Sequence, residues 1–141
     1  MTTPHPESDK RPLIVAADDD VDILNVIKLK LEANGLRVIT ARDGQEAITA
    51  VQKYQPALVI LDVMMPRLNG FQVTRMIKFD QRLKSTPVFI LTVRNQATDR
   101  NLGLQVGADE YLTKPFDPQQ LLERVTYWLK RKTELTPRRY V

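Results

Sequence analysis

The chain has 141 residues, 43% hydrophobic and 27% charged, with a net charge of +4 and no cysteine. That length suits one buried core; the composition excludes disulfides and thiolate metal sites, and no apolar run reaches the roughly 18 residues of a membrane helix. The opening MTTPHPESDKRP lacks the apolar stretch of a secretory signal, so a cytoplasmic location is expected.

Residues 1–11 are polar, hold two prolines and read as a disordered lead. LIVAA (13–17) is apolar without polar alternation, as a strand covered on both faces would be. A helix follows, with Ile23, Leu24, Ile27 and Leu31 at helical spacing and Gly35 where a left-handed residue ends it. LRVIT (36–40) reads as the second strand, and DGQEAITAVQKY as a helix turning Ala47, Ile48 and Val51 inward. ALVIL (57–61) is the third strand and GFQVTRMIKF (70–79) the next helix. PVFILT (87–92) is the fourth strand, ATDRNLGLQVG a helix ending at Gly107, and DEYLT (109–113) the fifth strand. The last helix opens with Asp117 as N-cap, Pro118 in the first turn and Gln120 in a capping-box-like position. Its apolar stripe is Leu121, Leu122, Val125, Trp128 and Leu129. One domain over 12–132 is expected, with a basic tail at 133–141. The cations Lys130, Arg131, Lys132, Arg138 and Arg139 read as a solvated helix end and tail, so neither a membrane nor direct nucleic-acid binding is expected.

Strands alternating with helices imply a doubly wound, open parallel α/β sheet. Such sheets bind ligands beyond the carboxyl ends of their strands. Asp18, Asp19 and Asp20 follow strand one, Asp62 follows strand three, Thr92 ends strand four and Lys114 follows strand five; after strand two there is only ARDG. If strands one and three are neighbours, about 4.8 Å apart, Asp18, Asp19 and Asp62 crowd together. Crowded carboxylates raise a pKa or recruit a cation, and oxygen ligands alone favour Mg²⁺ or Mn²⁺ over zinc. A dication, an ammonium and a hydroxyl around a carboxylate suit phosphoryl transfer to Asp62. Taken singly, each residue has a plainer role: an N-cap, a turn residue, a hydroxyl on its own backbone, a surface lysine.

Together they resemble the receiver domain of two-component response regulators. Asp18 and Asp19, Asp62 in LDVMMPRLNG, Thr92, and Tyr111 and Lys114 in YLTKPF carry the resemblance, which spans about residues 12–132. It implies a flavodoxin-like (βα)5 fold with strand order 2-1-3-4-5. It implies that a histidine kinase, a phosphotransfer protein or a small phosphodonor phosphorylates Asp62. Asp19, Asp62 and the Met64 carbonyl would be Mg²⁺ ligands, with Asp18 acting through water. Thr92 and Lys114 would hold phosphoryl oxygens, Tyr111 would swing inward, and the Lys114–Pro115 peptide would be cis. Such a domain is a phosphoacceptor switch rather than an enzyme acting on a separate substrate.

Val93 departs from the small residue usual after the family's Thr and bears on access of small donors. Met64 and Arg94 lack an amide or carboxylate to orient an attacking water, so slow self-dephosphorylation is expected. The signalling face would comprise the helix at 96–105, strand five and the last helix, with Asp99, Asp109 or Glu110 facing Arg124, Tyr127 and Arg131 across a two-fold axis. Asn101 replaces an aliphatic residue usual in dimerising relatives, so a weak, phosphorylation-promoted dimer or a hetero-contact is expected. The haloacid-dehalogenase-like phosphatase pattern D-x-D-x-T/V fails at Asp22. TELTPRRYV (133–141) is too short to fold as an effector, so a stand-alone receiver and a piece of a longer regulator are both open.

Overall fold

The computed structural model describes residues 9–93, 101–102 and 105–135. Five strands, β1 (Leu13–Ala17), β2 (Arg37–Ala41), β3 (Leu58–Leu61), β4 (Val88–Thr92) and β5 (Glu110–Thr113), form one sheet in the order β2-β1-β3-β4-β5. All neighbouring pairs are parallel. Four helices fall among the described residues: α1 (Val21–Glu32), α2 (Gly44–Tyr54), α3 (Gly70–Lys78) and α4 (Pro118–Leu135). The helix expected at 96–105 lies largely outside the described residues, of which Asn101, Leu102 and Gln105 are helical. The second strand sits one residue later than expected, and α4 runs on to Leu135.

Successive strand residues point to opposite faces, which splits the core in two. Val15, Ala17, Val59, Leu61, Val88 and Ile90 pack against α2 and α3. Ile14, Ala16, Leu58, Ile60, Phe89 and Leu91 pack against α1 and α4. Of the residues expected to face inward, Leu24, Ile27, Leu31, Ala47, Ile48, Val51, Leu121 and Val125 are buried, and Ile23, Leu122, Trp128 and Leu129 are partly buried against the same core.

Side-chain caps start all four described helices. Asp20 accepts from the Asp22 and Ile23 amides, and Asp43 from that of Glu46. Asn69 and Gln72 form a reciprocal capping box, two orphan donors satisfied at once. At α4, Asp117 accepts from the Gln119 amide at 3.0 Å. Gly35 is left-handed as expected, Gly107 is left-handed too, and the Lys114–Pro115 peptide is cis. Gln55 and Arg67 are also left-handed, although each carries a side chain.

Candidate functional site

The sheet ladder continues one step past the strands and fixes the site's backbone. Ala17 is in register with both Ala41 and Leu61. The next amides follow suit: Asp18 donates to Ala41 at 3.1 Å, Asp62 to Ala17 at 2.9 Å and Lys114 to Thr92 at 2.8 Å. Asp18 and Asp62 are therefore neighbours at one sheet edge. The turn after β3 needs Gly70, because a Cβ there would lie 2.4 Å from the Asp62 carbonyl oxygen.

Asp18, Asp19 and Asp62 each offer a carboxylate oxygen, all within 4.8 Å of one another. Lys114 reaches between two of them, its Nζ 2.6 Å from Asp18 Oδ2 and 3.2 Å from Asp62 Oδ1. Asp18 and Asp62 are almost wholly buried, 2% and 5% exposed. The Asp run divides by role: Asp20 caps α1, while Asp18 also accepts the Asp20 amide.

Burial pushes the Asp62 carboxyl up to about 6; the Asp18 charge adds to this, and Lys114 pulls against it. Burial alone would lower the Lys114 pKa, but the hydrogen bond to Asp18 and the carboxylate charges raise it. Two of the three clustered carboxylates thus share one ammonium. A hard dication suits this all-oxygen donor set, with Asp18, Asp19 and Asp62 as the side chains that would hold it.

Thr92 is fully buried at the end of β4, in register with Thr113. Met64 and Val93 are mostly exposed, 57% and 66%. Beside Asp19 an open cleft is walled by Met64, Met65, Pro66 and Phe71. Tyr111 is half-buried against the core on the α2–α3 side. Arg94 and Asp99 lie outside the described residues.

The residues expected on a signalling face form a separate cluster. Glu110 accepts from Arg124 Nε at 3.1 Å, from Arg124 Nη2, and from the Trp128 indole at 2.8 Å. Arg124 and Arg131 both lie against the exposed Tyr127 ring. Asp109 pairs with Lys78 at 2.9 Å and accepts the Val88 amide at 2.8 Å. These charges are thus paired within one chain. Sequence pattern assigned Trp128 to the core stripe and missed its bond to Glu110.

Residues 14–126 match the response regulator receiver domain family, and the chain belongs to that family. The alkaline phosphatase synthesis transcriptional regulatory protein PhoP of Bacillus subtilis is 38% identical over 124 residues, covering 88% of this chain and 51% of PhoP. The chain therefore spans about half the length of that curated relative. The receiver domain of Francisella response regulator 1452 is 35% identical with a TM-score of 0.80, covering 86% of this chain and 99% of that one. The receiver domain of a Pseudomonas aeruginosa sensor histidine kinase, solved with magnesium in its active-site cleft, is 28% identical with a TM-score of 0.79, covering 85% and 98%. The protein is a receiver of two-component signalling.

Proposed function

We propose that Asp62 accepts a phosphoryl group from a partner histidine kinase or phosphotransfer protein, in the cytoplasm, and that phosphorylation alters the β5–α4 face. The observation that carries this is the nearly buried Asp62 carboxylate, 3.2 Å from the Lys114 ammonium and beside two further carboxylates. Above about pH 6 that carboxyl is mostly ionised and nucleophilic. One oxygen attacks phosphorus; the P–O bond forms as the donor's P–N bond breaks, and the electron pair leaves with the imidazole. Lys114 turns its protons to the phosphoryl oxygens, and the Thr92 hydroxyl donates another. Asp19, Asp62 and the Met64 carbonyl would hold magnesium, with Asp18 assisting, and the ion would supply charge neutralisation. Manganese has the same preference for oxygen ligands. With acetyl phosphate and Mg²⁺, intact mass should rise by one phosphoryl group, and Trp128 fluorescence should change because its indole bonds to Glu110, next to Tyr111. No mass gain with acetyl phosphate and none with a phosphorylated histidine kinase refutes the assignment.

The phosphoryl group should last many minutes or longer. Met64, two residues past Asp62, presents an exposed thioether that cannot orient water. Met64→Asn should shorten the lifetime about tenfold, since placement of a reactant carries much of such a rate. A parent half-life of seconds defeats this reading.

Thr92 moving toward the phosphoryl group would open space for Tyr111 to turn inward. Asp99, Glu110, Arg124 and Tyr127 belong to the face that would respond. Cross-dimer pairing there must exchange the internal Glu110–Arg124 bond for an equivalent one. Exposed ion pairs contribute only about 0–1 kcal/mol, so the protein should be monomeric at rest and dimerise weakly on activation. Sedimentation with and without fluoroberyllate tests this; an activated monomer at high concentration rules out the homodimer. An activation dimer that survives Arg124→Glu rules out the face. PhoP's named role in transcription belongs to a protein of about twice the matched length and is not carried over to residues 14–126.

A further inference from the structure

The turn after β2 supplies no nucleophile and no carboxylate to the Asp18–Asp19–Asp62 cluster, yet it touches both loops that do. On one side, the Ala41 carbonyl accepts the Asp18 amide at 3.1 Å. Arg42 Nη2 donates to the Asp19 carbonyl at 3.4 Å. On the other side, the Gly44 amide donates to the Pro66 carbonyl at 3.3 Å. A Cβ on Gly44 would lie 1.9 Å from the Leu68 carbonyl oxygen, so that loop is seated directly on the start of α2. Asp43 uses one oxygen to cap α2 through the Glu46 amide at 2.8 Å. Its other oxygen lies 3.3 Å from Arg67 Nε. Arg67 has φ +72, a left-handed conformation unfavourable for a residue with a side chain.

We infer that residues 41–44 brace the two ligand-bearing loops, Asp18–Asp20 and Asp62–Asn69, and thereby set the Mg²⁺ affinity of the site. The inference rests on the reading of Asp19, Asp62 and the Met64 carbonyl as ligands. A cation bound from two loops is sensitive to the gap between them, and losing a group that orients ligands typically costs about 10–100-fold in metal affinity. Arg42 and Asp43 are positioning residues: neither touches the metal. Gly44 sets how closely α2 approaches the loop after β3. Binding of the metal should in turn slow amide exchange at Gly44 and Leu68, whose amides lie within the contact between turn and loop.

The test uses the full chain, MgCl₂ and calorimetry, alongside the metal-free melting temperature of each variant. Asp43→Asn keeps the helix cap, since Asn caps as well as Asp, and removes only the charge facing Arg67. Arg42→Ala removes an exposed side chain. The double variant Arg42→Ala/Asp43→Asn should weaken Mg²⁺ binding about tenfold, the lower end of the range for groups that orient ligands. Its metal-free melting temperature should stay within a few degrees of the parent, as for ordinary surface changes. Arg42→Lys should restore part of the lost affinity. Parent-like affinity in the double variant overturns the brace, as does an affinity loss that only tracks lost metal-free stability. A parent chain that takes up no Mg²⁺ overturns the ligand assignment, and the brace's role with it.

Discussion

Asp62→Asn is expected to abolish phosphoryl uptake while raising the melting temperature of the metal-free protein at about pH 8. The first effect follows from loss of the nucleophile. The second follows from the sign of the pKa shift. Asp62 titrates at about 6 in the fold against an ordinary 3.8, because burial and Asp18 disfavour its charge. Between those values the folded state binds more protons than the unfolded state, so stability falls as pH rises. The loss is absent below the ordinary value, grows between the two and is complete above about 6. A shift of that size corresponds to about 3 kcal/mol, an upper figure for what the neutral amide relieves. For a chain this long the gain amounts to several degrees. Near pH 4 the difference should vanish, because the parent is then protonated too. Saturating Mg²⁺ should also narrow it, by stabilising only the parent. Equal melting temperatures at both pH values in metal-free buffer would show that Asp62 carries no charge strain.

The sheet was legible because its strands are short apolar runs bounded by turn residues, and their alternation with helical patterns admits few topologies. The chemistry was legible because it sits just past the strand ends, where one residue decides what the edge presents. The triple aspartate was ambiguous between cap and ligand; the fold divides it, with Asp20 on the helix and Asp18 under Lys114. What pattern could not reach was pairing between distant elements. Asp109 or Glu110 is expected to pair with the last helix across a two-fold axis, yet within one chain they bond to Lys78 and to Arg124 and Trp128. Those contacts depend on how α3 and α4 sit against β5, which periodicity along one helix does not encode. Left-handed Gln55 and Arg67 were likewise invisible, since that conformation is normally read from Gly or Asn. ARDG adds no group to the carboxylate cluster; its role lies in what it holds.

Lys114→Ala is expected to slow phosphoryl uptake about 10²–10³-fold, the usual cost of removing one donor aimed at developing charge. The same change should tighten Mg²⁺ binding about tenfold at high pH, because the ammonium and the dication compete for the same carboxylates. Lys114 lies 2.6 Å from Asp18 and 3.2 Å from Asp62, so its removal leaves two buried anions facing each other. Lys114 also holds the Asp62 pKa down, so without it that carboxyl titrates above about 6 and the metal must displace a proton nearer neutrality. The tighter binding should therefore fade as pH falls toward 6, more steeply than in the parent. Metal-free stability should drop by about 3 kcal/mol above neutral pH, typical of a buried ion pair that loses one partner, and recover on acidification as Asp62 takes up a proton. Asp62→Asn and Lys114→Ala thus move the metal-free melting temperature in opposite directions, although both impair phosphorylation. Loss of packing would lower it in both. Weaker Mg²⁺ binding by Lys114→Ala at high pH would mean that the lysine supports the metal site instead of competing with it, and would overturn this account.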